Sequence, residues 1–209
     1  MFKSAWGGRE VLAMTDCLWG VLDGLNGAKL CVSLTFGGRR VVGEGFGIPL
    51  ILRYVLETCA TAREGVAALC RIPSHMAYNV TLVDGNGDHY TVHVGPDRSA
   101  AVGRDLVTTN HQREVEWQQH ARATATLERE RFLKFRLAES DSGEDLARAF
   151  LRSPLYSIDY QRGFGTLYTA VYRPFETSVE LLWPNASWRQ SLAHFTEERR
   201  TVRFPRGAL

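Results

Sequence analysis

Apolar and β-branched runs broken by glycine-bearing turns dominate the first third, the middle and the end of the chain, with helix-period segments between them. Residues 11–36 read as two strands around a turn: VLAMTDCLWGVLDG, then Leu25-Asn26-Gly27-Ala28, then LCVSLTF. Asn-Gly between apolar runs signals a hairpin, because both residues tolerate φ > 0. A glycine-rich turn follows at 37–47, and Pro49 suits the first turn of a helix through ILRYVLETC, where its missing N–H costs little. Thr61-Ala-Arg-Glu64 forms a capping box that opens a second helix over VAALCR, which Pro73 ends.

Strand patterning returns at 76–109: MAYNVTLVD turns through Gly85-Asn86-Gly87 into HYTVHVG, and LVTT predicts a further strand up to Asn110. Residues 110–124 read as a charged loop. A helix over TLERERFLKFRLAE and another over DLARAFLR follow, the second headed by Ser142 and an acidic first turn that suits the helix dipole. LYTAVYRP (167–174) and SVELLWP (178–184) return to strands before a short tail. Hairpins dominate and no regular βαβ alternation occurs, so the order predicts an α+β layered sandwich with antiparallel sheets. The length, 209 residues, suits a single domain over 1–209, with no repeat or linker.

Composition narrows the function classes. Hydrophobic residues at 44% and charged residues at 23% are those of an ordinary globular protein. A net charge of +2 is too balanced for nucleic-acid binding by bulk charge. No apolar stretch approaches the ~18 residues of a membrane span, and MFKSAWGGRE lacks the apolar core of a secretory signal. Cys17, Cys31, Cys59 and Cys70 form no C-x-x-C pair, so reduced thiols and a cytoplasmic location are expected. His89 and His93 on one strand face would lie about 13 Å apart, too far to share a metal ion, so neither metal nor cofactor is expected. Gly43-Glu-Gly45-Phe-Gly47 lacks the lysine–hydroxyl pair of a phosphate loop and reads as a permissive turn. Asn79-Val-Thr81 matches a glycosylation pattern that carries no weight without secretion. Thr108-Thr109-Asn110-His111-Gln112 is a polar cluster at a predicted strand end.

Taken together, DCLWGVLDGLNGAKLCVSLTFGG, GFGIPLILRYVLETCATAREGVAALCRIP, AYNVTLVDGNG, TTNHQ and TLERERFL, in that order, resemble the acyltransferase and linear-amide hydrolase branch of the N-terminal nucleophile hydrolases. Relatives in that branch include penicillin acyltransferases, acid ceramidase-like amidases and choloylglycine hydrolases. The resemblance runs over roughly residues 12–195 and implies a four-layer αββα sandwich of antiparallel sheets. It implies a Cys nucleophile at the start of a mature chain, whose own α-amino group is the general base, and an acyl-enzyme formed from a linear amide or an acyl thioester. Asn110 matches the oxyanion donor of the T-N-H-type motif. Arg129, in Thr126-Leu-Glu-Arg129, matches the arginine near the catalytic centre. Thr35, Phe36 and Trp117 are the candidate substrate-binding residues, and Trp19 is a further aromatic candidate for an acyl pocket. Lys29 stands where relatives usually carry Gly in the N-E-x-G-L turn.

The resemblance also implies a preceding segment with the nucleophilic Cys and an R-N-x-D-type strand, so the chain is expected to be an N-terminally truncated domain. Residue 2 is Phe, and removing Met1 would expose no Cys, Ser or Thr. The chain as given is therefore expected to be inactive. Its expected partner is a small acyl amide or acyl thioester, without nucleic acid or membrane. Two alternatives accompany this reading: a non-catalytic binding relative that covers its sheet edges by homo-oligomerisation, and a nucleophile at Cys17 released by cleavage after Asp16.

Overall fold

A computed structural model describes residues 1–140 and 142–204. Among these residues, ten strands and five α-helices follow one another in the order β1 (Phe2–Ser4), β2 (Val11–Asp16), β3 (Gly20–Asn26), β4 (Cys31–Phe36), α1 (Ile48–Thr58), α2 (Ala62–Arg71), β5 (Tyr78–Val83), β6 (His89–Val94), β7 (Ala101–Gly103), α3 (Gln118–Ala123), α4 (Thr126–Glu139), α5 (Gly143–Ala149), β8 (Thr169–Arg173), β9 (Ser178–Trp183) and β10 (Ala186–Ser191). β1 to β7 form one sheet in sequence order, and β8 to β10 form a second. All named pairings are antiparallel. The α+β reading with antiparallel sheets holds.

Two apolar clusters explain the layering. Val11, Val21, Leu30, Val80, Leu82 and Val92 on one face of the large sheet pack against Ile48, Leu52, Val55 and Leu56 of α1 and Leu69 of α2. On the other face Leu12, Leu25 and Cys31 meet Val179, Leu181 and Trp183 of the small sheet. α5 reaches the small sheet through an ion pair between Glu144 and Arg173. No helix among the described residues is long and apolar enough to cross a membrane.

Local signals placed several elements. Pro49 lies in the first turn of α1, and Thr61 Oγ1 caps α2 by accepting from Glu64 N at 3.2 Å. Glu64 returns its carboxylate to Ala60 N at 2.6 Å, one residue before the cap. α4 spans the predicted segment end to end.

Five readings need correction. Residues 11–24 are two strands, reversed at Cys17–Trp19 with positive φ at both Cys17 and Leu18. None of the three turning residues is Gly, Asn or Pro, and only the flanking Asp16 and Gly20 are of turn-forming type. LVTT is irregular, and the strand beside β6 is Ala101–Gly103 instead. The loop at 110–124 contains α3, and the tail contains β10. In the β3–β4 turn the positive φ belongs to Lys29, at 68°, while Asn26 serves through its side chain.

Candidate functional site

The irregular segment after β7 carries Asn110, and α4 carries Arg129 one helical turn in from its start. Arg129 Nη1 donates to Asn110 Oδ1 at 3.0 Å and to the Thr124 carbonyl at 3.3 Å. Both residues line a cleft of about 900 Å³ whose far wall is the 153–166 segment, including Tyr156, Ile158 and Phe164. With its oxygen committed to Arg129, Asn110 has its two Nδ2 hydrogens left to donate.

Arg129 has an unusual environment. Burial holds its guanidinium below the ordinary arginine range, and its Nε is buried without a partner. Among the described residues no carboxylate pairs with it. A buried cation without a counter-charge is costly. It also supplies an attractive potential for negative charge entering the cleft.

The backbone around Asn110 is fixed from three sides. Asn79, buried on β5, donates through Nδ2 to the carbonyls of Thr109 at 3.0 Å and His111 at 2.8 Å, on either side of Asn110. Gly38 has φ +67°, and a Cβ there would sit 2.3 Å from the Asn110 carbonyl oxygen, so only glycine permits this approach. Gln112 donates to the carbonyls of Tyr78 at 3.2 Å and Val94 at 3.0 Å, anchoring the segment across β5 and β6.

Of the sequence-derived candidates, the fold brings Asn110 and Arg129 together. Thr35, Phe36 and Trp117 stand behind the cleft. Thr35 Oγ1 lies 3.2 Å from Asn79 Nδ2, beside the two carbonyls that take its hydrogens. Phe36 meets the edge of His120 with ring centroids 5.1 Å apart, and Trp117 stacks on the same imidazole at 4.9 Å. His120 itself lines the cleft. Arg40 lies over the outer side of Trp117, 4.3 Å from the ring centroid. Trp19 is exposed at the Cys17–Trp19 reversal and does not line the cleft. Sequence reasoning missed His120, Asn79 and the 153–166 wall. Only Asn79 had drawn notice, through a pattern unrelated to its role.

None of the four thiols lines this cleft. Cys31 and Cys59 are buried, and burial pushes the Cys31 thiol up to about 12. Cys17 and Cys70 are exposed elsewhere.

Comparison with known proteins gives a consistent picture. The sequence model of the acyl-coenzyme A:6-aminopenicillanic acid acyl-transferase family matches residues 1–188. No curated protein sequence matches the chain. Among solved structures, penicillin V acylase from Agrobacterium tumefaciens superposes with a TM-score of 0.61 at 16% identity, over 89% of this chain and 70% of that one. The Caenorhabditis elegans ortholog of N-acylethanolamine-hydrolyzing acid amidase gives 0.55 at 18% identity, over 79% and 74%. A mutant conjugated bile acid hydrolase from Clostridium perfringens gives 0.55 at 12% identity, over 95% and 81%. At these identities the likeness shows the fold.

Proposed function

The chain belongs to the acyl-coenzyme A:6-aminopenicillanic acid acyl-transferase family, and on that premise we propose that its cleft serves acyl transfer from a small linear amide or acyl thioester. The observation that carries this reading is the Arg129–Asn110 contact on the cleft wall, which commits the Asn110 oxygen and leaves its Nδ2 hydrogens to donate. A tetrahedral intermediate on the substrate carbonyl develops charge on oxygen, and preorganised donors stabilise that charge without reorganising. Asn110 Nδ2 is the donor, and the unpaired Arg129 guanidinium adds a positive potential.

The nucleophile in this reading is a thiol with an adjacent amino base, as the resemblance implies. It attacks the carbonyl, the amine or thiol leaves, and water or an amine resolves the acyl-enzyme. Since no thiol lines the cleft, residues 1–209 alone are expected to give no turnover. A steady-state assay on an acyl amide checks this, and a rate near ~1 per second, typical of enzymes, would overturn it.

The decisive experiment joins a segment with an amino-terminal Cys ahead of residue 1 and compares Asn110→Ala with the parent. Loss of one oxyanion donor is expected to lower kcat about a hundredfold to a thousandfold. KM should change little, because the ground-state carbonyl gains little from the donor. Unchanged turnover in Asn110→Ala would remove Asn110 from the site.

A further inference from the structure

Asn110 and Arg129 face one side of the 105–113 segment, and a second cleft of about 680 Å³ opens on its other side. His93 and His111 line that second cleft, together with Asp105 and Glu130. The surrounding hydrogen bonds assign the proton on each imidazole. Asn79 Nδ2 must donate to the two carbonyls beside Asn110, so it is Asn79 Oδ1 that faces His93 Nδ1 at 2.8 Å. His93 Nδ1 is therefore the donor. At His111, the Thr109 hydroxyl donates to the Thr126 carbonyl at 3.1 Å, and the Thr126 hydroxyl donates to Thr109 Oγ1 at 2.9 Å. With both hydroxyl hydrogens used, His111 Nδ1 donates to Thr126 Oγ1 at 3.0 Å.

Both neutral imidazoles thus carry the proton on Nδ1 and leave Nε2 bare in the second cleft. Across the cleft each Nε2 looks toward a carboxylate, Asp105 Oδ2 at 3.5 Å from His93 and Glu130 Oε2 at 3.6 Å from His111. Burial holds both histidines below their ordinary range, which favours this neutral form at pH 7. The two Nδ1–H groups have a common destination. One fixes the amide of Asn79, which grips the backbone on either side of Asn110. The other holds Thr126, the first residue of α4, on the helical turn that carries Arg129.

We propose that His93 and His111 are positioning residues for the Asn110–Arg129 pair, acting from the reverse cleft through Asn79 and Thr126. The inference rests on the reading of that pair as the polar centre of the acyl site, yet its geometry is testable without turnover.

The test is side-chain NMR on the ¹⁵N-labelled full chain, comparing wild type with Asn and Leu substitutions at positions 93 and 111. An Asn amide nitrogen can stand in for imidazole Nδ1, whereas Leu removes the donor. In wild type at neutral pH, both histidines should show a protonated Nδ1 and an unprotonated Nε2. His93→Asn and His111→Asn should keep the Asn110 Nδ2 and Arg129 guanidinium signals. His93→Leu and His111→Leu should shift them and speed exchange of the Arg129 guanidinium hydrogens by about tenfold or more, as expected when a local frame opens more readily. Should a Leu variant fail to fold, Thr126→Val removes the same link from the other end at nearly constant shape, and the same shifts are expected. A proton on Nε2 of either histidine would overturn the proposal. So would wild-type Asn110 and Arg129 signals in a folded Leu or Thr126→Val variant. If the NMR result holds while the acyl-transfer assay fails, the functional reading falls by itself.

Discussion

Lys29 and the cysteines show how much a single backbone angle or a single environment decides. Lys29 adopts φ 68°, a left-handed conformation that a side chain with Cβ resists at a cost of about 1–2 kcal/mol. Its ammonium lies over the Phe175 ring at 5.6 Å, an exposed contact of small value. Lys29→Gly is therefore expected to raise stability by ~0.5–1 kcal/mol, net of the entropy glycine returns to the unfolded chain. A shift of the urea midpoint with an unchanged slope would show it. The thiols divide in the same residue-by-residue way. Under native conditions a small alkylating reagent should modify exposed Cys17 and Cys70 and spare buried Cys31 and Cys59, as intact mass would report. Modification of Cys31 in the folded protein would contradict the packing between the sheets.

At the scale of elements, one side chain closes both a hairpin and a helix. Asn26 is fully buried, and its Nδ2 donates to the carbonyls of Leu56 and Cys59 at 2.8 Å each, completing the end of α1. Its Oδ1 accepts from Ala28 N at 3.0 Å and Leu30 N at 3.1 Å, shaping the β3–β4 turn. Asn26→Ala would leave buried donors and acceptors unmade in two elements, so a loss of roughly 2–4 kcal/mol is expected. Denaturant unfolding should show it, with faster hydrogen exchange at the end of α1. The Asn-Gly pair thus predicted the right hairpin for an incomplete reason. Its local turn preference was legible, but its bonds to α1, 30 and 33 residues away, were not.

Across the whole molecule, the two sheets are joined by a polar contact inside an otherwise apolar interface. Asp23 of β3 accepts from the hydroxyls of Tyr168, at 3.2 Å, and Tyr172 of β8. Burial pushes the Asp23 carboxyl above the usual range, although both hydrogen bonds pull it down. A raised folded pKa means the native state binds the proton more tightly than the unfolded chain does. The associated stability is fully present below the unfolded carboxylate pKa, near ~3.9, and is lost as pH rises through the folded value. Arg39 acts oppositely by holding Asp97 and Glu116 down, so the readout must be a difference between variants. Asp23→Asn should melt higher than wild type at pH 7, with the gap closing as pH falls toward the carboxylate range. A gap that widens on acidification would contradict the assigned desolvation.

The sequence alone determined what neighbouring residues decide. Pro49 and the Thr61–Glu64 box placed α1 and α2, period-2 runs placed β5 and β6, and helical periodicity bounded α4. Motif order also singled out Asn110 and Arg129 before any contact was visible. The tertiary structure decided which faces meet and which atoms are left free. The Cys17–Trp19 reversal has no Gly, Asn or Pro at its three turning positions; Thr15 and Asp16 side chains close it locally where β2 pairs with β3. Asn79 grips carbonyls 30 and 32 residues away, and Tyr172 meets Asp23 across 149 residues. Such bonds leave no periodic trace, because chain closure over those distances is set by packing of whole elements rather than by the preferences of the residues that finally touch.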